Sequence, residues 1–195
     1  MRLKEKAACY NARVHIVILN DDVLGPDARG GVAVVVDQYR RGYTAAGHTV
    51  TLITTHQNPA KGKEVRWTDA AGNIISVLVD VPVKGRHWRC VQPNDIEPRV
   101  RTLLQGLRPD AIHVHNIHTY MTYRVLIPAR EVTERVFITA QDTFLVSFAR
   151  VGGPRYEAAV LAGKPYRMHW WDHLRAVGRE DDVAGQREFD APAEA

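Results

Sequence analysis

Val14-His-Ile-Val-Ile-Leu-Asn-Asp-Asp-Val-Leu-Gly-Pro-Asp-Ala-Arg-Gly-Gly31 decides the fold, read together with the helix and strand that follow it. His15 to Leu19 is a short apolar run with β-branched residues, the pattern of a buried parallel strand. The polar, turn-forming stretch from Asn20 to Gly31 leaves it. Val32, Val35, Val36, Tyr39, Tyr43 and Ala46 then recur at helical spacing and make one apolar stripe, which Gly47 stops. Val50-Thr-Leu-Ile-Thr54 is the next strand. Such a βαβ unit closes right-handed and puts its first loop at the carboxyl end of the sheet, where α/β folds bind ligands. The glycine pair Gly30-Gly31 at the helix start lets backbone N–H groups approach an anion, so a phosphate-bearing ligand is one reading. A plain tight turn is the other, since neither a full dinucleotide fingerprint nor a lysine-bearing phosphate loop is present.

Outward from this unit, Val65 to Trp67 and Ile74 to Val79 read as strands joined through Asp69-Ala-Ala-Gly-Asn73. Arg86 to Pro93 has no clear period and reads as a basic, aromatic loop. Asn94 has the look of a helix N-cap, with Glu97 three residues on. Ile96, Val100, Leu103, Leu104 and Leu107 form the stripe of that helix, which Arg108-Pro-Asp110 breaks. Ala111 to His115 is a strand, Tyr120 to Arg130 a helix ended or bent by Pro128, and Arg135 to Thr139 a further strand. Tyr166 to Val177 has helical spacing. The order predicts an α/β fold: a Rossmann-like, mainly parallel sheet with helices on both faces. Loops after Leu19, His115 and Thr139 should meet on one rim, bringing together Asp21, Asp22, Gly30, Gly31, Asn116, His118, Gln141 and Asp142.

Composition bounds the rest. The chain has 195 residues, 45% hydrophobic and 25% charged, as expected of a globular protein with one sizeable core. No apolar run approaches the roughly 20 residues of a membrane span, and the charged N-terminus lacks the apolar stretch of a signal peptide. Cys9 and Cys90 stand in no metal or redox spacing, which points to reduced thiols in a cytoplasmic protein. Residues 179–195 carry two arginines against six carboxylates. Their net −4 leaves +8 on residues 1–178 of a chain whose total is +4. We expect residues 1–178 to be the folded domain and 179–195 an acidic, disordered tail. A basic body suits an anionic ligand or membrane surface, and no specific nucleic-acid motif is present.

On the rim, His113, His115 and His118 spell H-x-H-x-x-H. The pattern invites a metal hydrolase, or else one histidine packs under a helix while another faces a polar ligand. Asp21-Asp22 resemble the acidic pair of phosphate-accepting receiver domains. That fold needs an aspartate where His115-Asn116 stand, so a solvated or capping turn is the better reading. Asp142 is either a general base or the cap of a turn; Gln141 has no charge to change.

Three stretches together resemble the N-terminal domain of family-four GT-B glycosyltransferases. Gly30-Gly-Val-Ala with Ala45-Ala-Gly-His-Thr-Val-Thr-Leu-Ile-Thr54 is similar to that family's glycine pair, first helix and second strand. Arg108-Pro-Asp-Ala-Ile-His-Val-His-Asn116 is similar to the "R-P-D-x-x-H-x-H-N" strand of members that build surface polysaccharides. Val136-Phe-Ile-Thr-Ala-Gln-Asp142 is similar to "V-x-T-x-H-D". The likeness runs from Val14 to Gly178. It implies one half of a GT-B fold and a retaining transfer of sugar from a nucleotide-sugar donor to a glycan or lipid-phosphate acceptor, with no metal and no cofactor. It further implies that Gly30 and Gly31 bind donor phosphate, that Asn116 and His118 line the acceptor side, and that Gln141 and Asp142 occupy catalytic positions. Gln141 departs from the family's histidine. The second, donor-binding domain is expected after Gly178, where an acidic tail stands instead. That shift suggests truncation and a chain inactive alone, in the cytoplasm or peripheral at the inner face of the cell membrane. The alternative is a non-catalytic module that binds glycan or anion on the same rim.

Overall fold

The computed structural model describes residues 12–21, 31–80, 92–141 and 161–162. Strand β1 (His15–Leu19) leads to helix α1 (Gly31–Ala45), strand β2 (Thr49–His56), and the β3 (Glu64–Asp69) and β4 (Gly72–Leu78) hairpin. Helix α2 (Ile96–Leu107), strand β5 (Ala111–Val114), helix α3 (Leu126–Val132) and strand β6 (Val136–Ile138) follow. The described strands form one sheet in the order β3-β4-β2-β1-β5-β6. All neighbours are parallel except the antiparallel β3–β4 pair at one edge. The fold is α/β and Rossmann-like, as the alternation of elements predicts. The order runs outward one way from β1 to β2 and β4, then the other way to β5 and β6. Folds of this kind bind ligands at the carboxyl ends of the strands where such a reversal falls, here β1 and β5.

Period-two alternation divides each central strand between two cores. Val17, Leu19, Ile53, Ile75, Val77, Ile112 and Val114 face α2 and α3, packing against Val100, Leu103, Leu104 and Val125. Ile16, Ile18, Val50, Leu52 and Ile74 face the other way, against Val36 of α1. Helices therefore cover both faces. α1 ends as its sequence predicts: Gly47 takes φ +87, and its N–H donates to Thr44 O at 2.9 Å.

α1 also carries a buried charge. Arg40 is only 1% exposed and reaches Asp37 at 3.2 Å and Asp69 of β3 at 2.7 Å. Asp69 Oδ1 also accepts the Ala71 N–H. Burial pushes the Asp69 carboxyl up, but the bonds from Arg40 and Ala71 outweigh it and hold it below its ordinary value. Helix α1 is thereby fastened to the hairpin. Gly72 sits at the hairpin's return with φ +116, and a Cβ there would stand 2.4 Å from Val50 O.

Asn94 caps α2, accepting Ile96 N–H at 3.2 Å and Glu97 N–H at 3.0 Å on Oδ1. Glu97 does not reach back as a capping box requires. It pairs with Arg124 at 2.6 Å and Arg101 at 3.3 Å, which hold its carboxyl below the usual range. The stretch from Tyr120 also departs from expectation. It is a turn, a short 3-10 segment (Tyr123–Val125) and then α3. Pro128 lies in the first turn of α3, where its missing N–H breaks no bond, so it neither ends nor bends the helix. The expected acidic tail, the 178/179 boundary and the helical spacing over 166–177 lie outside the described residues. Among the described residues no helix is long and apolar enough to cross a membrane.

Candidate functional site

The rim at the ends of β1 and β5 is built around Asp21, the second residue after β1. It is 2% exposed. Its N–H donates to Asn116 O at 2.7 Å and its carbonyl accepts from Thr55 Oγ1 at 2.7 Å. Its carboxylate takes three backbone donors: Thr119 N and Tyr120 N on Oδ2 (2.7 and 2.9 Å) and Met121 N on Oδ1 (2.7 Å). Asp21 therefore clamps the loop that follows β5. The expected capping role is present, but Asp21 is buried where the sequence also allowed a solvated turn.

That loop leads into Thr122, which has φ 65 and ψ 159, a region populated almost only by glycine. Thr122 is held there because its Oγ1 accepts from Asn94 Nδ2 at 3.1 Å and from Arg124 N at 3.4 Å. A chain of bonds thus runs from β1 through the loop to the N-terminus of α2. It encloses a cavity of about 350 Å³ between the end of β4 (Leu78 to Asp80), the start of α2 (Gln92 to Ile96, with Arg99), and Thr119, Tyr120 and Thr122.

On the α1 face the strands turn polar together. The parallel register continues past β1 and β5 through Asn20 N–H to Ile53 O (3.1 Å), His115 N–H to Leu19 O and Thr139 N–H to Val114 O (both 2.9 Å). Ser76, Thr54, Asn20, His115 and Thr139 therefore form one row across five strands. The first four are at most 3% exposed. Below this row lies His113, whose Nδ1 and Nε2 share hydrogen bonds with Tyr43 OH (3.0 Å) and Thr139 Oγ1 (2.7 Å). The His115 ring lies 4.2 Å from that of His113 and 5.2 Å from that of Tyr39, and neither of its nitrogens has a hydrogen-bond partner. Burial, with the neighbouring His113, lowers the His115 pKa to about 4, and burial lowers His113 as well. Both are neutral imidazoles at neutral pH.

Of the residues expected on the rim, Asp21, Asn116, His118 and Gln141 come to the carboxyl ends of β1, β5 and β6. Asn116 is half-buried with Oδ1 unpartnered; His118 is 4% exposed. Gln141 has both amide atoms buried without a partner. Gly31 opens α1 in ordinary helical geometry, and a Cβ there would meet nothing within 4 Å. Its own backbone geometry does not demand a glycine. Asp22, Gly30 and Asp142 lie outside the described residues. The metal reading of the three histidines finds no support: among the described residues no three His, Cys, Asp or Glu side chains group to hold an ion. Sequence reasoning missed the cavity, the clamp on the 119–121 loop and the polar row. The row's signal is visible only after alignment of the strands, which brings one polar residue from each to the same register.

The model of the glycosyl transferase 4-like domain matches residues 30–189, more than half of the chain. The chain belongs to the glycosyl transferase 4-like family. Among solved structures, this glycosyl transferase 4-like domain is similar to "Trehalose-6-phosphate from E. coli bound with UDP-2-fluoro glucose". The identity is 16% and the TM-score 0.40, over 75% of this chain and 37% of that one. It is also similar to "OtsA apo structure", at 12% identity and TM-score 0.41, over 85% of this chain and 42% of that one. The domain thus spans less than half the length of these structures. No protein of curated function matches it.

Proposed function

We propose that the chain is the acceptor-side half of a retaining glycosyltransferase that moves a sugar from a nucleotide sugar to a glycan or lipid-linked acceptor. Family membership over residues 30–189 is the observation that carries this reading. The reversal of strand order at β1/β5 supports it, because a ligand at that rim meets strand ends from both halves of the sheet. The N–H groups at Gly30 and Gly31 would stabilise charge on the leaving phosphate, helped by the α1 dipole. Gln141 and Asp142, after β6, would contact the sugar being transferred. Asn116 and His118, after β5, would line its acceptor. Polysaccharide assembly at the inner face of the cell membrane fits the +8 carried by residues 1–178. The nucleotide site requires a second domain, so the chain alone is inactive.

The test is transfer from a panel of UDP-, GDP- and ADP-sugars, by this chain alone and by this chain joined to a donor-binding domain of the same family. We expect transfer only in the joined protein. Unaided transfer refutes the claim of inactivity, and a joined protein inert toward every donor refutes the transferase reading. The unpartnered neutral amide of Gln141 favours a second reading, a glycan-binding module without chemistry. Glycan binding with no rescue of transfer by any donor domain would establish it.

A further inference from the structure

The 350 Å³ cavity between β4, α2 and the clamped loop lies at the small end of the ~300–1,000 Å³ typical of small-molecule sites. It has room for a sugar residue and not for a whole nucleotide sugar. Its lining is unusual for an enzyme expected to handle phosphorylated molecules. Two carboxylates, Asp80 and Asp95, stand on it without an ion pair or hydrogen bond among the described residues. Among the described residues on its wall the one cation, Arg99, donates through one guanidinium nitrogen to Leu78 O at 2.8 Å.

The N-terminus of α2 opens here and would ordinarily attract an anion. Two features work against that. Asn94 Oδ1 already takes the Ile96 and Glu97 N–H groups, and Asp95 places negative charge at the helix start, whereas Glu97 is neutralised by Arg124 and Arg101. The wall thus offers hydroxyl acceptors in Asp80 and Asp95, an amide with both capacities in Gln92, and aromatic surface in Tyr120 for the C–H face of a ring.

We propose that this cavity is a subsite for an uncharged, hydroxyl-rich sugar residue, gripped by Asp80 and Asp95, and that it rejects phosphorylated sugars. Its use as an acceptor subsite rests on the transferase reading above; sugar binding as such does not. The grip is charge-assisted: sugar hydroxyls donate to carboxylate oxygens, which a phosphate monoester meets as like charge.

Saturation-transfer NMR on the 195-residue protein tests this with methyl glycosides of glucose, galactose, mannose and N-acetylglucosamine against glucose 6-phosphate and mannose 6-phosphate. At least one methyl glycoside binds at millimolar concentration, and the sugar phosphates bind about tenfold more weakly or not at all. Asp80→Asn and Asp95→Asn each weaken glycoside binding about tenfold, the loss of one charge-assisted hydrogen bond. Neither carboxylate bonds to the described fold, so both variants keep the parent's melting temperature to within about 4 °C, the most that Asp95's place at the α2 N-terminus is worth. Three results overturn the proposal: no glycoside binding, phosphate binding as tight as glycoside binding, or glycoside binding unchanged in both variants. The two readings fail separately. A joined enzyme that never transfers sugar while this chain still binds a glycoside removes only the transferase reading. Transfer whose acceptor KM is unchanged by Asp80→Asn and Asp95→Asn removes only the subsite.

Discussion

Replacing Asp21 tests whether its carboxylate holds the rim together. In Asp21→Asn the side chain keeps its shape, and its amide oxygen can retain the bonds from Thr119 and Tyr120. The amide NH2 then meets the Met121 N–H, donor against donor, where Oδ1 now accepts at 2.7 Å. One buried charge-assisted bond is lost and one N–H is stranded, about 2–4 kcal/mol together. Asp21→Ala strands all three N–H groups, and the loss rises to about 4–6 kcal/mol, a large part of the roughly 5–15 kcal/mol that holds a domain together. Urea denaturation read by circular dichroism gives both values from midpoints at constant m. Asp21→Asn should also loosen Thr119 to Thr122, raising amide exchange there more than in β2. If Asp21→Ala costs under about 1 kcal/mol, or exchange at 119–121 does not change, the clamp described here does not exist.

Gly72→Ala places a methyl 2.4 Å from Val50 O in a positive-φ conformation. We expect a loss of about 3 kcal/mol and a melting temperature lower by about 6–12 °C, by calorimetry. Gly31→Ala has open space and helical geometry, so stability holds or rises by up to about 1 kcal/mol. In the joined enzyme its transfer rate falls about tenfold or more, because the methyl crowds the phosphate's approach to the backbone N–H. Unchanged transfer would detach Gly31 from the donor site. His115 is neutral in the folded chain down to about pH 4, whereas an unfolded histidine takes its proton near pH 6.5. Above that pH neither state is charged and His115 contributes nothing to pH dependence. As pH falls from about 6.5 to 4 the unfolded state binds the extra proton, and stability drops by up to about 3 kcal/mol. Urea midpoints for the parent should fall across this window, above most of the carboxylate range, and His115→Gln should flatten much of the fall.

The β1–α1–β2 unit, the hairpin and α2 were legible because each is fixed by a local period and a local stop. Gly47 and Asn94 act within a turn of where they stand. The mainly parallel character of the sheet followed from strand and helix alternation, whereas the order of its strands had no local signal. What escaped was decided at a distance. Nothing near Arg40 in the sequence marks it as buried; Asp69, which meets it, stands on a hairpin 29 residues later. Pro128 reads as a stop because the sequence does not show that the helix begins only at Leu126. The spacing of the histidines left a metal site and a histidine packed under a helix both open, because it carries no information about Tyr39 and Tyr43, against which His113 packs. The cavity draws its walls from three separate stretches, none with a motif of its own.

The clamp at Asp21 has a consequence for how the molecule is made. Its three bonds join residues 98 to 100 positions apart. β1, α1, β2 and the hairpin are complete by Leu78, so during synthesis they can pair before β5 leaves the ribosome. Closing a loop of about a hundred residues must then bring β5 alongside β1 before Asp21 can bond to anything there. Until then a carboxylate and an open β1 edge stand exposed on a half-built sheet. The binding rim is therefore the last part of the domain to mature. In pulse-labelled hydrogen exchange the Thr119 to Met121 amides should gain protection after those of β2, and the nascent chain is most exposed to mispairing in that interval.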